Sequence, residues 1–442
     1  MRRHYTVALW IVMSLIVSIV NQAFAADLDN MSTDDMITYI RQLESENNDL
    51  KAQLGAAGTN PSLSESQSGT VASTDVQAAD EKDVEFKKPE SGESELKVNT
   101  LYQDSLSSGE DENWYLFNLS APGYIYLTFG HDLIEDDSAF WRTTFCFSDK
   151  TEITWVDHTG RTTEDSSMEI GLPAGSYYMK VIPGYRYSEN NYTFSIHYSA
   201  ASDWELEFNN EITQANIIPV NQEIHGTLHN GEDADWYQFS REKEGFIKLH
   251  FLHDYIEDGD SYWFITLYNQ DKQELTSYDI PGNKVDSWTG SVGLPAGTGY
   301  IKVITHRDYS GADYSIMVQD TPSEEWEKEF NDSYDTATPY TLGNYMNGSI
   351  CRTNDKDWYK VNIEQSGLLI LSFHNEYIEN GANYWRAVIF DPTMNEMASY
   401  HFSGDAVDTS TEPIEFPAGD CYIKVECSSY YSNADYSFSL HG

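Results

Sequence analysis

Trp114, Trp236 and Trp358 stand 122 residues apart, and the same interval relates Trp141, Trp263 and Trp385; Gly175, Gly297 and Gly419; Lys180, Lys302 and Lys424; and Tyr192, Tyr314 and Tyr436. No net insertion separates the copies, so the chain reads as three repetitions of one module, and the positions kept in all three specify it. A unit of this length is the commonest size of an independent domain and can bury its own core.

Inside each module short alternating or apolar runs are separated by turn residues. In the second copy they are Trp236 to Phe239, Gly245 to Phe251, Tyr262 to Tyr268, Gly299 to Ile304 and Asp313 to Val318. Strands of this length and spacing, without a long helical pattern, predict an all-β chain of antiparallel sandwiches. The Leu294-Pro295-Ala296-Gly297 turn fits a tight connection, Pro fixing φ and Gly taking a left-handed position.

Each later module opens on an acidic head, Trp204-Glu205-Leu206-Glu207-Phe208-Asn209-Asn210 and Trp326-Glu327-Lys328-Glu329-Phe330-Asn331-Asp332. Two glutamates at period two face one side of an extended segment, and the amide and carboxylate that follow turn beside them. That fan of oxygens, completed by a second acidic loop containing Asn354 and Asp357, suits a hard cation such as Ca²⁺. The other reading is a solvated strand whose carboxylates only keep the protein soluble. With 72 acidic against 26 basic residues and a net charge of −46, the chain is a poor match for nucleic acid.

Ahead of the modules (81–200, 201–322 and 323–442) the chain changes character. Arg2 and Arg3, an apolar run from Val7 to Val20 and the small residues around Ala25 read as a secretory signal peptide over 1–25, and the run is short for a membrane anchor. The expected location is therefore extracellular, with no span after cleavage. Residues 26–54 read as a short amphipathic helix, from which oligomerisation through a coiled coil stays open, and 55–80 as a flexible Gly/Ser-rich linker.

The Glu-x-Glu-x-Asn-Asp head, the later Asp-x-Asp-Trp-Tyr, the Pro-Ala-Gly-x-Tyr-Tyr-x-Lys-Val strand and the closing Asp-Tyr-Ser-Phe strand resemble bacterial pre-peptidase C-terminal domains, including the collagen-binding domains of clostridial collagenases. The resemblance implies three tandem jelly-roll sandwiches, with calcium held between each head and the acidic loop. Carried over by position, it implies Glu205, Glu207, Asn209, Asn210, Thr227, Glu232 and Asp235 as ligands in module 2. In module 3 it implies Glu327, Glu329, Asn331, Asp332, Ser349, Asn354 and Asp357. Module 1 departs from this pattern: its head is Asp83-Val84-Glu85-Phe86-Lys87-Lys88, and Asn113 stands where the others have Asp235 and Asp357. Lysines at ligand positions repel a divalent ion, so module 1 is expected to fold without metal.

Two aromatic features recur. Leu133-Ile134-Glu135 with Trp141, and its counterparts at Tyr255 and Tyr377, read mainly as structural, the tryptophans as core. The loops ending in Tyr187, Tyr309 and Tyr431 are the expected ligand contacts, since tyrosine offers a flat apolar face with a hydroxyl. No catalytic motif is present in the sequence, and His131, His253 and His374 read as strand-end residues without one common aligned position. Of the four cysteines, Cys421 and Cys427 are too far apart on one strand to pair, leaving a bond from Cys351 to one of them or reduced thiols. The expected function is a secreted, calcium-binding, non-catalytic protein for an extracellular matrix protein, polysaccharide or cell-surface component. Its alternatives are a spacer or adhesin stalk and an accessory or inhibitory subunit of a secreted hydrolase.

Overall fold

A computed structural model describes residues 94–257 and 259–442. The signal peptide, the short helix, the linker and the head of module 1, with Lys87 and Lys88, lie outside the described residues.

Each module is a pair of five-stranded sheets. In module 1 the strands are β1 (Ser94–Leu96), β2 (Tyr102–Asp104), β3 (Asn113–Leu119), β4 (Gly123–His131), β5 (Ala139–Phe147), β6 (Glu152–Thr159), β7 (Glu164–Ser166), β8 (Ile170–Leu172), β9 (Gly175–Pro183) and β10 (Tyr192–Ala200). One sheet runs β1-β3-β9-β5-β6 and the other β2-β10-β4-β7, with β8 also on β4. Pairing is antiparallel except for β1 on β3. Modules 2 and 3 repeat this order as β11 to β20 and β21 to β30. The one helical element among the described residues is a 3-10 turn over Ile212–Gln214.

The strand pattern follows from side-chain alternation. Along β4 every second residue is buried, and Ile125, Leu127 and Phe129 meet the inward faces of the other sheet. Trp141, Trp263 and Trp385 are fully buried at the centre of the three cores. Truncating any of them to alanine is expected to cost about 3–5 kcal/mol.

The other repeated positions have local causes too. Trp114 pairs across strands with Lys180, Trp236 with Lys302 and Trp358 with Lys424. The ammonium groups lie 5.4, 5.4 and 5.8 Å from the indole centroids, a cation–π contact that fixes both residue types. Gly297 and Gly419 sit at φ 142° and 122°, where a side chain is strained.

His131 and His253 occupy one aligned position and Asn375 takes it in module 3, so the three histidines share no common position. Their ring nitrogens bond the carbonyls of Asp132 and Thr159, and of Asp254 and Lys284, so the position ties a loop to a strand end. All four cysteines are free thiols.

Candidate metal centres at the module junctions

The two acidic heads run as extended segments between neighbouring modules. The Glu205 amide donates to His225 on β12 (Ile224–Gly226) of its own module, and the Glu207 amide donates to Gly171 on β8 of the preceding one. In module 3, Glu327 and Glu329 repeat this with Asn347 on β22 (Met346–Ser349) and Gly293 on β18 (Val292–Leu294). A Cβ on Gly171 would come within 1.9 Å of the Glu205 carbonyl oxygen, and one on Gly293 within 2.4 Å of that of Glu327. Glycine at these two places is what lets the next head approach.

Aromatic contacts close the same junctions. Trp204 lies 4.6 Å from Tyr124, Phe208 4.9 Å from Phe147 and Trp326 4.3 Å from Phe246. Thr227 donates its hydroxyl to the Glu169 carbonyl and Ser349 to that of Ser291, so both hydroxyls serve the junction.

Period two then points the glutamates into one buried group. Glu205, Glu207 and Asp235 offer oxygens all within 4.8 Å of one another, as do Glu327, Glu329 and Asp357. Five of the six are at most 5 % exposed and Glu329 is 6 % exposed. Below them lie paired tyrosines: Tyr237 donates to Glu205 at 2.6 Å and Tyr314 to Asp235, while Tyr359 and Tyr436 do the same for Glu327 and Asp357.

Such crowding is unfavourable for bare charges. Burial and then the neighbouring Glu207 push Glu205 up to about 8, and burial with Asp355 does the same to Glu327. Glu207, Asp235, Glu329 and Asp357 are shifted upward as well, burial being the main cause in each.

The residues fit a hard cation on a separate ground. Glu207 Oε2, Asn209 Oδ1, Asn210 Oδ1 and Asp235 Oδ1 are buried without a hydrogen-bond partner, and so are Asn331 Oδ1 and Asp357 Oδ1. Unpaired buried oxygens cost about 1–3 kcal/mol each, and an oxygen-seeking ion is what relieves them together.

Glu232 and Asn354, expected in the ligand sets, are exposed. The turns Asp233 N to Asn230 O and Asp355 N to Arg352 O direct Asp233 and Asp355 inward instead, where they are 2 % and 1 % exposed. Asn210 donates to Asp233 at 3.0 Å, whereas its counterpart Asp332 is drawn off by Arg352 at 2.9 Å. His229 and Cys351 also join the two clusters. The position of Asp233 was readable: aspartate stands at 111, 233 and 355 in all three modules, while its neighbour varies as Glu110, Glu232 and Asn354.

Among the described residues of module 1 the tyrosine pair has other partners. Tyr115 donates to Asp104 at 2.9 Å, and Asn113 donates to the Tyr192 hydroxyl at 2.8 Å and to the Ser105 carbonyl. Asp104 occupies the place of Gly226 and Gly348, where a Cβ would press on the tyrosine hydroxyls.

The tyrosines at 187, 309 and 431 are less free than expected. Tyr187 and Tyr431 donate to the carbonyls of Leu106 and Cys351, bracing the acidic loop, and the Tyr309 hydroxyl lies 3.7 Å from the Met168 sulfur of the preceding module. Tyr309 and Tyr431 remain 41 % exposed, but Leu133, Tyr255 and Tyr377, one per module at the same position, reach 57, 64 and 64 %. Those three were assigned mainly to structure in the sequence, where an exposed loop apex carries no signal of its own.

No family model matches the sequence, and no curated protein does. Among solved structures the chain is similar to the pre-peptidase C-terminal domain of a Bacillus anthracis collagenase, at 22 % identity and TM-score 0.20 over 24 % of this chain and 94 % of that one. It is similar to the CUB1-EGF-CUB2 domain of human MASP-1/3, at 15 % identity and TM-score 0.18 over 50 % and 99 %. A third is the tandem CBM22 domain of Paenibacillus barcinonensis Xyn10C, at 10 % identity and TM-score 0.16 over 46 % and 80 %. The chain is a tandem of three repeated sheet pairs, and the pre-peptidase C-terminal domain is among its structural neighbours.

Proposed function

We propose that this chain is a secreted, non-catalytic binding array in which Ca²⁺ held in modules 2 and 3 locks the module junctions. The array then presents its three sandwiches to an extracellular polymer, a matrix protein or a polysaccharide. The observation that carries the reading is that each oxygen cluster, with its unpaired buried acceptors, is built from the strand that joins one module to the next.

Glu205, Glu207, Asn209 and Asp235 would hold the ion in module 2, and Glu327, Glu329, Asn331 and Asp357 in module 3. The ion supplies charge neutralisation, and the carboxylates ionise only with it in place. Removing it obliges several crowded, buried carboxyls beside the junction to take up protons, so bracing and metal are one property. Three weak contacts fixed on one frame gain avidity for a repeating ligand. The exposed ring faces of Tyr255 and Tyr377, with Leu133, are the contact points this reading favours.

The close docking at Gly171 and Gly293 also favours a second reading, a calcium-stiffened spacer without a ligand of its own. Co-sedimentation of the full chain with fibrillar collagen and with insoluble polysaccharides, in calcium and in chelator, separates the two. Retention on one polymer in calcium, lost in chelator and weakened by Tyr255→Ala with Tyr377→Ala, is expected. Intact calcium binding without retention on any polymer would leave the spacer.

A further inference from the structure

Beside each oxygen cluster lies a second set of three converging ligand atoms. In module 2, His229 Nδ1 is 2.6 Å from Asp233 Oδ2 and 3.0 Å from Glu207 Oε1. In module 3, Cys351 Sγ is 3.1 Å from Asp355 Oδ2 and 3.2 Å from Glu329 Oε1. His229 and Cys351 occupy the same position, 122 residues apart. All six residues are at most 6 % exposed, and the second oxygen of Glu207 is buried without a partner.

An imidazole and a thiol differ in size, shape and polarity. What they share is strong ligation of borderline metal ions, which an oxygen-only site does not favour. Module 1 shows what a plain hydrogen-bond donor at this position looks like: Ser107 is exposed and gives its hydroxyl and amide to Asp111, each at 2.7 Å.

We infer that these are two transition-metal sites, each taking an ion of the Zn²⁺ class. Module 2 supplies one nitrogen and two oxygens, and module 3 one sulfur and two oxygens, with a fourth position left to water. Each adjoins the oxygen-only site and shares with it the second glutamate of the head. The inference goes beyond calcium bracing and does not depend on it.

The spacing is compatible. Zinc bonds of about 2.0–2.3 Å at tetrahedral angles put ligand atoms roughly 3.3–3.6 Å apart. Module 3 falls a few tenths of an ångström short of that, and in module 2 the 2.6 Å between His229 Nδ1 and Asp233 Oδ2 must open by about 0.7 Å. On binding, the Cys351 thiol gives its proton to solvent and the sulfur lone pair forms the bond to the metal. Neutral imidazole donates through Nδ1 in the same way.

The test uses the full, reduced chain freed of metal and then saturated with calcium. Co²⁺ serves as the spectroscopic probe and Zn²⁺ as the metal counted by native mass spectrometry. Expected are a sulfur-to-cobalt charge-transfer band that Cys351→Ser abolishes, and two bound zinc ions falling to one in Cys351→Ser or His229→Ser and to none in the double variant. Calcium binding persists in all three. Serine is the residue module 1 carries, and circular dichroism checks that the fold survives. Should a serine variant unfold, Cys351→His decides, since it keeps both zinc ions while losing the thiolate band. Absence of that band in the wild-type chain, or an unchanged zinc count in the double variant, overturns the proposal. Zinc binding without calcium binding would instead remove the calcium reading and leave this one standing.

Discussion

Modules 2 and 3 bury the same four carboxylates, Glu205, Glu207, Asp233 and Asp235 against Glu327, Glu329, Asp355 and Asp357, yet differ in how those charges are answered. Module 2 places His229 between Glu207 and Asp233. Burial alone would lower this histidine, but the carboxylates of Asp233 and Glu207, 2.6 and 3.0 Å from its Nδ1, hold it up to about 10, so it carries an internal cation. Module 3 places Cys351 there, a thiol that burial and Glu329 push further from ionising. The same fold therefore leaves one cluster partly neutralised and the other dependent on what it binds.

The largest expected effect is from calcium. Ligand at 100 times its Kd adds about 2.7 kcal/mol, so chelation should lower the unfolding transition of module 3 by several degrees and that of module 2 by less, as read by hydrogen exchange along the full chain. Equal losses would break the comparison.

Next comes the junction itself. Gly171→Val and Gly293→Val should each cost about 2 kcal/mol by forcing the docked head away. Glu415 occupies the same position on module 3 and is exposed, so Glu415→Val should be close to neutral. Chemical denaturation of the three variants orders them.

The pH dependence sharpens the contrast. In the metal-free fold Glu327 is pushed up to about 8, whereas an unfolded glutamate titrates near 4.3. Between these values the native state binds more protons than the unfolded one. Metal-free stability of module 3 should thus fall as pH rises from about 5 to 8, by up to about 1.4 kcal/mol per unit. With calcium bound the carboxylates must be ionised, as they are in the unfolded chain above about pH 5, so the slope should flatten over this range. Urea titrations at several pH values, with and without calcium, would show the fall and its disappearance.

The smallest effect is from Cys351→His. Giving module 3 the internal cation of module 2 should recover about 1 kcal/mol in chelator and little in calcium. No recovery would mean that the histidine serves geometry rather than charge.

Much of this was legible in the sequence because the repeat compares the chain with itself. Alternation predicted the strands, and the paired glutamates of each head pointed inward as period two requires. The acidic loop was misread at Glu232 and Asn354, because a turn sets which of two adjacent residues faces in and composition does not show that. The constancy of aspartate at 111, 233 and 355 was the available signal. The exchange of His229 for Cys351 became meaningful only once both were placed beside the same two carboxylates. Engagement of the Tyr187 and Tyr431 hydroxyls depends on contacts some 80 residues away in sequence.

Hydrogen exchange of the full chain with and without calcium tests the central claim most directly. Calcium should raise protection in residues 205–210, 227–235, 327–332 and 349–357 and leave 104–113 of module 1 unchanged. Unchanged exchange in both later clusters, or an equal rise in module 1, would contradict it.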